Sequence, residues 1–101
     1  MIPLKTIQEL IGKHSKLEKD LSSGKIEKKV FAEKSKEYSD LNEIINDAKK
    51  YISFEKDKVE LEKILVDQSS DKELLKMAEN EIKDLQTQYD KIEKKLKLFL
   101  L

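Results

Sequence analysis

Eight apolar residues, Leu75, Ala78, Ile82, Leu85, Tyr89, Ile92, Leu96 and Phe99, recur at alternating steps of three and four. That period puts them all on one side of a helix and demands a second helix alongside, so it fixes a coiled-coil seam. The stripe ends in Leu98-Phe99-Leu100-Leu101, although a helix terminus ordinarily frays and its last carbonyls seek water or a cap. The expectation is a single helical domain, residues 1–101, cut from a longer chain.

Two further helices follow from the same logic. Leu4, Ile7, Leu10, Ile11, His14, Leu17 and Leu21 share one side of a segment that opens at Pro3 and closes at Ser22-Ser23-Gly24. Proline is at home in a first turn and glycine in a left-handed cap. Gly12 interrupts the pattern, where glycine costs about 1 kcal/mol relative to alanine. The next segment has neither glycine nor proline and carries two offset stripes. One is Phe31, Tyr38, Leu41, Ile45, Ala48, Ile52 and Val59; the other is Ile44, Tyr51, Phe54, Leu61 and Leu65. Two apolar faces predict two neighbours.

Asp67-Gln68-Ser69-Ser70 breaks that helix, and Ser70 before Asp71, Lys72 and Glu73 reads as a capping box that starts the next. Helices are expected over about 3–22, 27–66 and 71–101. Glu79 with Lys83, Asp90 with Lys94, and Glu93 with Lys97 are spaced for ion pairs along the last of them. The short break folds the long helices back on each other. The fold class is therefore all-α, an elongated three-helix bundle with a long antiparallel coiled-coil hairpin.

Composition narrows the function. Apolar residues make up 38% and charged residues 42%, the balance of helices with one buried stripe each. The 21 basic residues are all lysine and are matched by 21 acids. Arginine is the residue that grips phosphate and guanine bidentately, so its absence argues against a specific nucleic-acid reader; a genome rich in A and T accounts for the lysines. Residues 1–26 carry five lysines and three acids, 27–68 nine and eleven, and 69–101 seven and seven. No such third offers the electrostatic footprint of an RNA or anionic-membrane binder. There is no cysteine, hence no disulfide, thiolate nucleophile or zinc-thiolate centre. No apolar run nears the ~20 residues that span a bilayer, and no targeting segment opens the chain.

No catalytic constellation emerges, and the chain is not expected to be an enzyme. The two glycines stand twelve apart, too far for a phosphate-cradling loop. His14, the only histidine, falls beside Leu10 and Leu17 and reads as a packing residue. Glu60 with Glu62, and Glu79 with Glu81, point to different helix faces. Glu33 and Glu37 share a face but sit among lysines. No cofactor or metal ligand set is expected.

The order of these phrases carries more than their periodicity. Phe31-Ala32-Glu33-Lys34-Ser35-Lys36-Glu37-Tyr38-Ser39-Asp40-Leu41, then Glu73-Leu74-Leu75-Lys76-Met77-Ala78-Glu79-Asn80-Glu81-Ile82, then Leu96-Lys97-Leu98-Phe99-Leu100-Leu101 resembles the amino-terminal domain (domain 1) of the bacterial peptide chain release factor 1 family. Ile11-Gly12-Lys13-His14-Ser15-Lys16-Leu17-Glu18 is similar to that family's first helix, and the resemblance covers essentially the whole chain. It implies a cytoplasmic role in translation termination at UAA and UAG. The partner it implies is the ribosome, at the large-subunit stalk base near protein L11. The family's Gly-Gly-Gln and Pro-x-Thr tripeptides lie in other domains and are absent here; the sole proline is followed by Leu4-Lys5. The loop and helix start from Ser22 to Lys29 gather Lys25, Lys28 and Lys29, which are expected to touch the ribosome because loops on rigid helices carry contacts.

Two other readings compete. An RNA-binding arm like that of seryl-tRNA synthetases calls for a basic stripe and steep salt dependence. A self-associating coiled coil calls for a dimer, whereas the bundle predicts a monomer whose only sticky part is Leu98, Phe99, Leu100 and Leu101.

Overall fold

The computed structural model describes residues 1–67, 69 and 71–101. Three helices follow one another: α1 (Leu4–Ser22), α2 (Lys28–Val66) and α3 (Lys72–Leu100). The molecule measures 61 × 26 × 20 Å, and its length is that of α2, since 39 helical residues at ~1.5 Å rise give about 59 Å.

Helix α2 is a spine. The backbones of α1 and α3 each lie against it and, among the described residues, do not approach each other. Helix α1 runs antiparallel beside the first half of α2: Asp20, near its end, pairs with Lys34 at 3.0 Å, while Lys13 pairs with Glu37 and His14 with Asn42 at 3.0 Å, both further along α2. Helix α3 runs antiparallel beside the second half, with Tyr89 stacked on Phe54 and Lys95 3.9 Å from Asp47. The three segments share one cross-section only at the waist, where Ile2, Ile7, Ala48, Tyr51 and Leu96 form the buried core. Ala48, fully buried and small, lets the helices close in there.

This arrangement decides which apolar positions are covered. Leu41, Ile45, Ala48, Tyr51 and Phe54 are buried, but Val59 and Phe31, expected on the first stripe, are 46% and 47% exposed. Helix α1 has 19 residues against 39, so the face it covers ends near Tyr51 and Val59 is left beyond it. Phe31 stands at the other extreme, level with the last turn of α1.

The helix boundaries have local causes. Pro3 is the N-cap rather than the first helical residue, and its carbonyl accepts from the amides of Thr6 and Ile7. Gly24 adopts φ +69°, the left-handed conformation in which other residues crowd their own Cβ. Ser70 lies outside the described residues. The cap that is seen is Asp71, whose carboxylate accepts from the Leu74 amide at 2.7 Å, a contact worth about 1 kcal/mol. Of the three expected ion pairs on α3, Glu93–Lys97 forms at 3.1 Å. Asp90 accepts instead from Gln86, and Glu79–Lys83 is not among the ion pairs of the described residues.

A polar knot closes the waist. The Tyr51 hydroxyl accepts from the Ile2 amide at 2.9 Å and from the Tyr89 hydroxyl at 2.8 Å, and donates to Glu93 at 3.0 Å. All its hydrogen-bonding capacity is used, as burial requires. Lys97 and then the Tyr51 hydroxyl hold the Glu93 carboxyl below the usual carboxylate range. Burial, followed by the bond to Tyr51 and the nearby Glu93 carboxylate, pushes the Tyr89 hydroxyl well above the usual tyrosine range. A lowered carboxylate contributes stability above its unfolded pKa of about 4.3 and loses it as pH falls through the folded value. A raised tyrosine contributes fully below about 10 and loses it as pH rises toward its folded value. Unfolding free energy is thus expected to be flat between roughly pH 5 and 9 and to fall on both sides. Denaturant titrations across pH check it: Glu93→Gln flattens the acid limb and Tyr89→Phe the alkaline one.

Candidate functional site

The expected contact residues lie at the α1–α2 end. Two serines finish α1 by bonding back to it, Ser22 Oγ to the Lys19 carbonyl at 3.1 Å and Ser23 Oγ to that of Asp20 at 2.7 Å. The Lys25 amide then donates to Ser23 Oγ at 3.3 Å, and Gly24 reverses the chain. The ion pair of Lys34 with Asp20 ties the two helices just behind the turn. The loop is short, internally bonded and held on a rigid base.

Lys25, Lys28 and Lys29 are exposed, and none forms an ion pair among the described residues. Their placement works against the helix. Lys28 and Lys29 open α2, whose first turn contains no acid and whose N-cap, Glu27, makes no side-chain cap bond. Positive side chains at the positive end of a helix dipole destabilise it. The same charges beside uncapped amides attract an anion.

An apolar groove lies among them, lined by Leu21, Gly24, Ile26, Lys28 and Phe31. The spacing of Phe31 suited a core stripe, so sequence reasoning missed it as a surface residue. No local signal marks it, because its exposure depends on where α1 ends. The end therefore has the anatomy of a contact surface, apolar in the centre with charges around it.

Among the described residues no catalytic or metal-binding cluster forms elsewhere. His14 is buried, stacked on Tyr38 with ring centres 4.8 Å apart and with Nε2 3.0 Å from Asn42 Oδ1, a packing arrangement. Among the described residues no group of three His, Cys, Asp or Glu is placed to hold a metal ion, and no helix is long and apolar enough to cross a membrane. At the end of α3, Leu98 and Leu101 are exposed beside Lys94, Lys97 and Leu100.

Comparison with known proteins adds to this geometry. The PCRF domain model matches residues 10–101. Peptide chain release factor 1 of Pelagibacter ubique (strain HTCC1062) is 67% identical over 101 residues, all of this chain and 28% of that protein. Peptide chain release factor 1 of Ehrlichia ruminantium (strain Gardel) is 36% identical over 96 residues, 94% of this chain and 27% of the relative. That of Rickettsia bellii (strain OSU 85-389) is 34% identical over 95 residues, 94% and 26%. The chain thus spans about a quarter of the length of these relatives, corresponding to the amino-terminal part of the first. No solved structure matches.

Proposed function

The chain belongs to the PCRF domain family, and on that premise we propose that it is the amino-terminal domain, residues 1–101, of a peptide chain release factor 1. In this reading it is a cytoplasmic, non-enzymatic module that binds the ribosome during termination at UAA and UAG. The observation that carries it is the 67% identity that extends through the whole chain. That match leaves no part of the chain outside it, covering all three helices.

The geometry supports a division of labour. A rod without clustered chemistry contributes position, and codon reading and peptide release belong to the rest of such a factor. The lysine-rimmed end from Ser22 to Phe31 supplies the contact, with Lys25, Lys28 and Lys29 facing the large-subunit stalk base near protein L11. The exposed leucines of α3, Leu98 to Leu101, form the joint to the following domains, and the domain itself is monomeric.

Charge reversal of Lys25, Lys28 and Lys29 to glutamate in a full-length release factor 1 carrying this domain tests the contact. Acids at the start of α2 suit its dipole, so the fold is retained, which circular dichroism verifies. The rate of peptide release on stop-codon ribosomes is expected to fall at least fivefold at subsaturating factor. An unchanged rate removes this end from the interface.

A further inference from the structure

The fold sets one contiguous acidic stretch apart at one end of the molecule. Beyond the Phe54–Tyr89 stack, α2 and α3 run on without α1, and the hairpin from residue 55 to 88 contains ten acids and six lysines. The remainder holds eleven acids and fifteen lysines. One end of the rod is thus acidic and the rest basic.

A groove opens between the helices in the acidic half. Helix α2 lines it with Asp57, Glu60, Leu61 and Ile64, and α3 with Glu81, Asp84, Leu85 and Gln88. Each quartet follows the spacing i, i+3, i+4, i+7, so each helix turns one narrow face to the groove. Leu61, Ile64 and Leu85 are half-buried and make the floor, while the four carboxylates are exposed along the walls. The groove continues on the same side past Asp57 and Leu85 to Phe54 and Tyr89. From Phe54 to Ile64 the path is about 15 Å, three helical turns.

Neighbouring Glu62 has Lys58 at 3.9 Å. Asp57, Glu60, Glu81 and Asp84 have no ion-pair partner among the described residues. Four unneutralised carboxylates along a partly desolvated apolar floor repel each other and any polyanion, and attract cations presented on an apolar ridge.

We propose that this groove docks an amphipathic helix of a protein partner, its aliphatic ridge on Leu61, Ile64 and Leu85 and its lysines or arginines against the four acids. Helix-in-groove recognition uses anchors at i, i+3 or i+4, and i+7, the spacing already present on both walls. RNA and anionic membranes are excluded from this end by charge. The site is separate from the lysine-rimmed end and does not depend on its role.

The test uses the 101-residue chain and an 18-residue peptide with leucines at helical spacing and lysines between them. A scrambled peptide of equal composition and an 18-base-pair RNA duplex are the controls. Amide NMR shifts are expected to move in residues 57–64 and 81–88 and little elsewhere. The Kd is expected to rise at least tenfold for the scrambled peptide, and at least tenfold for the chain carrying Glu60→Lys with Asp84→Lys. Asp57→Asn with Glu81→Gln, which preserves shape, should weaken binding in the same direction. Shifts centred elsewhere, equal binding of the scrambled peptide, indifference to both double variants, or duplex RNA binding at this groove would overturn the proposal.

Discussion

Leu96→Ala is expected to remove about 3 kcal/mol of stability and to lower Tm by roughly 15 °C for a domain of this size. Leu96 is fully buried at the waist, in the cluster with Ile7, Ala48 and Tyr51. Deleting its branched end forfeits the transfer free energy of the lost carbons and leaves a cavity that helices on both sides of α2 cannot easily fill. The loss is a large share of the 5–15 kcal/mol that holds a small domain together. Leu98, two residues on and 71% exposed, is the internal comparison: Leu98→Ala should change stability by less than about 0.5 kcal/mol. Urea titrations of the two variants decide the matter. Equal midpoints would mean that the waist is not the structural centre.

Tyr51→Phe is the second substitution with a large expected effect, about 2 kcal/mol for the loss of one oxygen atom. The ring remains to stack on Tyr89, so packing is preserved. What disappears is the shared partner of the Ile2 amide, the Tyr89 hydroxyl and Glu93. Leaving buried groups unpaired costs more than the net worth of the bonds they made. Combining Tyr51→Phe with Tyr89→Phe should cost less than the sum, by about 1 kcal/mol, because the second change removes a group the first has orphaned. Strict additivity in the double-mutant cycle would show that the knot is not a single network. Faster hydrogen exchange at Ile2 and the first turn of α1 should accompany the single variant, since that amide is what ties the chain's beginning to the spine.

The helices and their antiparallel order were legible because periodicity and breaks are local facts. Gly24 had to be a left-handed cap, and the 3–4 stripe on α3 had to find a partner. The exposure of Val59 was not legible, because it depends on where α1 stops relative to α2. Ser70 was the cap expected for α3 and lies outside the described residues, while Asp71 carries the visible bond. The polar knot joins Ile2, Tyr51, Tyr89 and Glu93 across separations of up to 49 residues, and periodicity gives a tyrosine's ring a side but gives its oxygen no partner. As for surfaces, the three lysines at the α1–α2 end could be found by their clustering. The acidic groove could not, since its walls come from opposite arms of the hairpin and each arm looks ordinary alone.

The balance of 21 lysines against 21 acids suggests a molecule indifferent to fields. At physiological ionic strength the Debye length is about 8 Å, far shorter than the 61 Å rod. A body approaching one end is screened from the other and never meets the zero. The isoelectric sum therefore describes behaviour on a gel, while encounter in solution is governed by two separate ends of opposite sign, one accelerated by salt where the other is slowed.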